Sequence, residues 1–114
     1  MPFTEIELKR IENTVGKMCK KRSPVQLRDK LRTSFEIKDY EVIIYEERPR
    51  WNDPQEWLNS PIAKFKHIRK DKIWKLYWMR QDMKWHTYFG LNSSKDLEDL
   101  VKEVDNDPHG AFWG

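Results

Sequence analysis

Lysine and tyrosine side chains alternate along three predicted strands in a pattern that could bind a polyanion with exposed bases. Ammonium groups neutralise phosphates, and tyrosine and histidine rings stack on bases. On one face, the predicted register places Lys64, Lys66, Lys75, Tyr77, Lys84, His86 and Tyr88. We therefore expect nucleic acid as the ligand of this face. An ordinary solvated surface is the alternative, because lysine stems and tyrosine rings also cover an open antiparallel sheet.

The same face carries apolar residues that favour a protein partner instead. Ile68, Ile73 and Met79 alternate with the lysines and tyrosines, and Ile62 begins the first of these strands. Contiguous apolar surface with a polar surround is typical of a protein interface, and an exposed sheet edge is a second way to join two chains. A protein-interaction or homodimer module is therefore the alternative function.

A second group of polar residues could form a pocket for a small anion, and such a pocket could also be enzymatic. It comprises Glu46, Arg48, Arg50, His67 and Arg80. Arginine offers paired donors to a carboxylate or a phosphate. The competing interpretation is an ion-pair network that fixes a strand end.

The sequence has no arrangement that catalysis or metal binding requires. His67, His86 and His109 are far apart along the chain and lack metal-ligand spacing. There is no nucleophile elbow, no phosphate-binding loop and no paired-carboxylate motif. We therefore expect no metal, no cofactor, and a binding module rather than an enzyme.

Two amphipathic helices are predicted to cover the apolar side of the sheet that carries these residues. Thr4 and Glu7 fit a capping box at the start of the first helix, and Ser93 with Asp96 fits the start of the second. Residues at helical spacing form two apolar stripes: Leu8, Ile11, Val15 and Met18 in the first, and Leu97, Leu100, Val101 and Val104 in the second.

The strands follow from alternating polarity and from turn residues. A two-residue turn at Asp39-Tyr40 joins strands 31–38 and 41–50, and it sets Lys38 opposite Glu41. Further turns at Lys70-Asp71 and Asp82-Met83 join strands 62–69, 72–80 and 84–89.

A short helical turn is predicted between the second and third strands. Asp53-Pro54-Gln55-Glu56 is typical of a helix start, because aspartate caps and proline occupies the first helical position. The predicted fold is therefore a two-layer α+β domain. It has a five-stranded antiparallel meander sheet, an N-terminal helix, a C-terminal helix and this helical turn.

Length and composition fit a single domain over residues 1–114. The chain has 13% aromatic residues and a formal charge of +3, which permits an anionic partner without requiring one. One cysteine, Cys19, excludes an internal disulfide and is read as a structural thiol. The first residues lack an apolar leader and no stretch is long enough to cross a membrane, so we expect a cytoplasmic protein.

Several motifs resemble those of a small bacterial family of stand-alone proteins, a domain of unknown function. They are Arg28-Asp29, Glu47-Arg48-Pro49-Arg50-Trp51, Glu56-Trp57, Trp74-Lys75-Leu76-Tyr77-Trp78, Lys84-Trp85-His86-Thr87-Tyr88 and the closing Asp107-Pro108-His109-Gly110-Ala111-Phe112-Trp113-Gly114. The resemblance covers essentially the whole chain. It implies a self-contained bacterial protein and carries over no activity, substrate or catalytic residue.

Overall fold

The computed structural model describes residues 3–27 and 29–113. Arg28 and Gly114, which belong to the motifs above, lie outside the described residues. The helices are α1 (Glu5–Ile11), α2 (Lys17–Lys21) and α3 (Leu97–Asn106), with a π-helical segment (Glu12–Gly16) between the first two and a 3-10 turn (Val25–Leu27) after them. The strands are β1 (Arg32–Lys38), β2 (Glu41–Arg50), β3 (Asp53–Ile68), β4 (Ile73–Met79), β5 (Trp85–Thr87) and β6 (Ser93–Ser94).

The strands form one antiparallel sheet in which neighbours in sequence are neighbours in space. The order is β1-β2-β3-β4-β5, and the two-residue strand β6 also pairs with β4. The predicted register between β1 and β2 is confirmed, with Phe35 opposite Ile44 and Lys38 opposite Glu41. This is the antiparallel meander that the turn residues predict.

The N-terminal helices and α3 pack on the same face of the sheet. The capping box at the start of α1 is confirmed, because Glu7 N–H donates to the Thr4 hydroxyl and Thr4 N–H donates to the Glu7 carboxylate. One cluster of buried residues joins helices, sheet and C-terminal segment: Phe3, Ile11, Val15, Met18, Cys19, Val42, Ile44, Ala63, Phe65, Trp74, Leu76, Tyr88, Leu97, Leu100, Val101, Val104 and Phe112. The fold is therefore α+β with two layers, and the opposite sheet face stays open.

Ion pairs and the C-terminal aromatic residues hold α2 and α3 together. The Asp105 carboxylate on α3 accepts from Lys21 and Arg22 at the end of α2. The Arg22 guanidinium also lies 4.0 Å from the centroid of Trp113, whose ring N–H donates to the carbonyl of Val104. The closing segment therefore docks on the helices, as its two aromatic residues suggest.

The expected helical turn between the second and third strands is absent, and the prediction is wrong. Asp53–Ile68 is a single long strand, and its first part pairs with the end of β2, with Pro49 opposite Trp57 and Arg50 opposite Asp53. The Asp53 carboxylate still accepts the N–H of Gln55, but at the start of this strand rather than in a helix. No apolar stripe follows to bury a helix, whereas the end of β2 needs a hydrogen-bonding partner.

The paired ends of β2 and β3 form an arm that extends past the core. The arm consists of Glu46–Arg50 and Asp53–Ser60, joined by a tight turn. Trp51 in that turn is 93% exposed. A shift in register between Pro49 and Arg50 marks an irregularity in the ladder, to which proline cannot donate an N–H.

Within the described part of the chain, no helix is both long enough and apolar enough to cross a membrane.

Candidate functional site

Four of the seven residues predicted for the nucleic-acid face lie together on the open side of the sheet. Strands β3 and β4 place Lys64 opposite Tyr77 and Lys66 opposite Lys75. Paired residues of an antiparallel ladder project to the same side, so these four side chains form a two-by-two array. Phe65 and Leu76, which alternate with them, are buried on the helix-covered side.

The remaining three residues are on the other face, so this part of the prediction is wrong. The β4–β5 connection was expected to be the two-residue turn Asp82-Met83. Instead Trp78 pairs with His86 and Met79 pairs with Trp85. A shift of one residue turns each side chain of a strand to the opposite face. The helix-covered face, opposite to that of Tyr77, therefore carries Lys84, His86 and Tyr88.

A three-residue loop, Gln81–Met83, explains the shift. Arg80 N–H donates to the Lys84 carbonyl, and Met83 N–H donates to the Arg80 carbonyl. Met83 has a φ of 63°, the left-handed conformation with which such loops end. Glycine or asparagine usually occupies this position, so methionine gave no signal for it.

The contacts of the displaced residues agree with this register. The buried Tyr88 ring lies 4.9 Å from that of Phe112, and its hydroxyl donates to the Glu103 carboxylate on α3. Burial and the hydrogen bond to Glu103 raise the pKa of Tyr88. The His86 ring contacts the Asp82 carboxylate at 2.8 Å, which holds the pKa of Asp82 below its ordinary value. Tyr88 is therefore a core residue, and His86 closes its own hairpin.

Trp85 lies on the open face, because it pairs with Met79 of β4. Its ring lies 5.3 Å from the Lys64 ammonium, which also lies 5.0 Å from the Tyr77 ring. We define the basic–aromatic face by the five residues that the register and these contacts bring together. They are Lys64, Lys66, Lys75, Tyr77 and Trp85.

The three lysines of this face are not equivalent. Lys64 is only 15% exposed, because it bonds to the Glu41 carboxylate at 3.3 Å and lies against two aromatic rings. Lys66 and Lys75 are exposed, and they face each other directly across adjacent strands. Two like charges in this position repel each other. The face therefore has one lysine that supports the aromatic rings and two that are available to a ligand.

The apolar residues proposed for a protein partner do not all lie on this face. Ile68 pairs with Ile73 at one end of it, and Met79 pairs with Trp85 at the other. Ile62 sits at a register shift in β3 and packs against the core instead. The half-buried residues Ile68, Ile73 and Met79 therefore flank the lysines rather than forming one continuous patch.

The residues proposed for an anion pocket do not meet. On the arm, Arg48 bonds to Glu46 and Arg50 bonds to Glu56. His67 N–H donates to the carbonyl of Tyr40, which is eight residues from Arg48, or roughly 26 Å along an extended chain.

The last member of that group, Arg80, lies over the Trp78 ring at 5.5 Å, at the β4–β5 hairpin. The two ion pairs on the arm instead match the competing interpretation, a structural network.

His67 does line a cavity, of about 410 Å³, between α1, α3 and the sheet. Its ring lies edge-on to Trp74, and burial together with the positive charge of Arg69 lowers the pKa of His67. The basic residues Arg10 and Lys95 line this cavity together with Glu7, Asp96 and Glu98. The acidic groups outnumber the basic ones by three to two, so the cavity does not favour an anion.

Cys19 is buried, and burial raises its pKa to about 12. The thiolate is the nucleophilic form, so this cysteine is a packing residue of α2. Among the described residues, no three histidine, cysteine, aspartate or glutamate side chains are arranged to hold a metal ion.

Comparisons with known proteins give a family for the chain and no relative of known activity. Neither the curated proteins nor the solved structures include a match to it. The family described as Domain of unknown function (DUF3024) matches residues 3–114, which is essentially the whole chain. The chain therefore belongs to this family.

Proposed function

We propose that this protein is a binding module for single-stranded nucleic acid, which it holds on the basic–aromatic face. The observation that carries the proposal is the pair of exposed lysines, Lys66 and Lys75, opposed on neighbouring strands. A phosphate between them would replace the repulsion with two attractive contacts. The open face leaves room for a flexible strand.

Two aromatic rings lie next to this lysine pair. Tyr77 follows Lys75 by two residues on β4, so both project to the same side. Trp85 lies on the neighbouring strand and shares the Lys64 ammonium with Tyr77. Lys64 thereby holds the two rings as a platform. Stacking of one base on such a ring contributes about 1–3 kcal/mol and depends little on sequence.

Acidic residues limit where a nucleic acid could lie. Glu36 and Glu47 belong to the same open side of β1 and β2, at a distance from the lysine pair across the sheet. Glu41 is closer, but its charge is balanced by Lys64. A polyanion would therefore cross β3, β4 and β5 rather than β1 and β2.

The proposal is tested by binding of a fluorescent single-stranded oligonucleotide, followed by anisotropy at increasing salt. We expect affinity to fall with salt, because phosphate contacts release bound cations. The variant Lys66→Glu/Lys75→Glu should lose binding. If it makes two phosphate contacts fewer, the slope against the logarithm of salt falls by about 1.4.

The control variant is Lys9→Glu/Lys17→Glu, which changes the net charge by the same amount on the exposed side of the helices. It should bind the oligonucleotide nearly as well as the native chain. Equal losses in the two variants would indicate only a general charge effect. Absence of binding by the native chain at low salt would refute the proposal.

A further inference from the structure

The outer edge of strand β1 has hydrogen-bonding partners at one end and none among the described residues at the other. The Ser23 hydroxyl accepts from Thr33 N–H at 2.7 Å and donates to the Thr33 carbonyl at 3.1 Å. Ser23 thus occupies the position that a neighbouring strand would take beside Thr33. Both main-chain groups of Thr33 therefore point away from β2.

The alternation of an antiparallel ladder gives the same direction to Phe35 and Ile37. Residues two apart along a strand direct their N–H and C=O groups to the same side. In the described chain, Phe35 and Ile37 have no hydrogen-bonding partner on that outer side. Their side chains are only partly buried against the core. The edge can therefore accept another strand over Phe35–Ile37.

The two charged residues of this segment lack a partner of opposite charge among the described residues, although the Tyr45 hydroxyl donates a hydrogen bond to the Glu36 carboxylate. Glu36 and Lys38 are exposed, and neither belongs to an ion pair among residues 3–27 and 29–113. Across the hairpin, Lys38 lies opposite Glu41, but the Glu41 carboxylate bonds to Lys64 instead. A negative and a positive charge therefore remain, two residues apart, on one side of the open edge.

We infer that this edge pairs with the same edge of a second copy, as an antiparallel dimer centred on Ile37. In this register Ile37 opposes Ile37 of the second copy, and Glu36 of each copy opposes Lys38 of the other. The two-fold symmetry forms this pair of opposite charges twice. Each Phe35 also lies diagonal to the second Ile37, within reach of an aromatic ring.

Charge and space exclude the neighbouring registers. Centring the pair on Glu36 would set two carboxylates directly opposite each other. Centring it on Phe35 would set Lys38 opposite Arg32 and would bring Ile37 of the second copy against Thr33, where Ser23 already lies. The register centred on Ile37 is the one that pairs opposite charges and uses the open part of the edge.

This dimer is independent of nucleic-acid binding, because the lysine pair is on β3 and β4. A two-fold axis between antiparallel edge strands runs perpendicular to the sheet, so both basic–aromatic faces would lie on the same side of the dimer. Loss of the dimer and loss of oligonucleotide binding can therefore be measured separately.

Sedimentation equilibrium over a wide range of protein concentration tests the inference. The native chain should associate reversibly to a dimer. Glu36→Lys and Lys38→Glu should each be monomeric, because each sets two like charges face to face twice. The double variant Glu36→Lys/Lys38→Glu restores opposite charges and should dimerise. Circular dichroism confirms that each variant is folded.

A mixture of the two single variants gives the sharpest result. Glu36→Lys paired with Lys38→Glu opposes unlike charges at both contacts, so two monomeric proteins should form a heterodimer when combined. The inference is overturned if the native chain is a monomer at every concentration. It is equally overturned if the single charge reversals leave a native dimer intact.

Discussion

On the helix-covered face of the sheet, β3 and β4 oppose Phe65 with Leu76, whereas one residue further the same strands oppose Lys66 with Lys75. The first pair is fully buried among helix side chains, and the second is exposed. Both pairs belong to the same ladder of β3 and β4, so they differ only in their side chains and in the face to which these project. The buried pair contributes to folding, and the lysine pair costs stability unless something anionic lies between its members.

The largest effect is expected from the buried pair. Phe65→Ala should lower the free energy of unfolding by about 3–5 kcal/mol, because it removes a ring from a site that cannot fully collapse. Lys66→Ala, on the adjacent position, is the control and should change it by less than about 0.5 kcal/mol. Urea denaturation measures both. Similar losses in the two variants would contradict the assignment of the faces.

A smaller effect separates the two tyrosines that sequence analysis had placed together. Tyr88→Phe removes the hydroxyl that bonds to Glu103, and should lower the free energy of unfolding by about 1 kcal/mol. Tyr77→Phe, on the open face, should leave stability nearly unchanged. The reverse result would favour the two-residue turn and the register that places Tyr88 beside Tyr77.

These two tyrosines show where the sequence was sufficient and where it was not. Alternation of polar and apolar residues predicted both faces of β3 and β4, and the register between β1 and β2 was supported by opposite charges. The length of the loop after Arg80 could not be predicted from the sequence. Met83 adopts the left-handed backbone conformation, which methionine does not favour. One extra loop residue then moved Trp85 onto the candidate site.

The arm shows a second limit, in which a strong local signal was overruled by long-range pairing. Asp53 and Pro54 have the right types to start a helix, and local propensity contains no information on what β2 needs as a partner. Arg48 and Arg50, grouped by type with His67, lie at the far end of β2, whereas His67 lies on β3 beside the start of β2. Residue type therefore identified candidates, while their meeting depended on register.

An ion pair between α1 and the β3–β4 turn makes a smaller contribution to stability, which can be tested through its dependence on pH. Glu7 of α1 bonds to Arg69 in the β3–β4 turn, and this bond lowers the pKa of Glu7 to about 2 from its ordinary value of 4.5. Glu7→Gln should therefore lower the free energy of unfolding by about 0.5–1 kcal/mol at neutral pH.

A carboxyl with a depressed pKa stabilises the fold above its unfolded-state value and loses that contribution as the pH falls. The difference between the native chain and Glu7→Gln should thus be constant above about pH 4.5 and shrink toward pH 2. Glutamine can retain the contact to Thr4, so the measurement isolates the charge. A difference that grows in acid would show that Glu7 is not held ionised by Arg69.

The smallest effect is expected at the lysine pair, and its sign distinguishes a binding surface from a merely solvated one. Lys75→Thr removes the repulsion across the ladder and introduces a residue with high strand propensity, so stability should rise by about 0.2–0.5 kcal/mol. Oligonucleotide affinity should fall in the same variant. Lys70→Thr, in the exposed β3–β4 turn, removes an equal charge and should change neither property appreciably. If Lys75 lowers stability and is needed for affinity, its role is in binding rather than in folding. A Lys75→Thr protein that is no more stable than the native chain and binds equally well would show that the opposed lysines are ordinary surface residues.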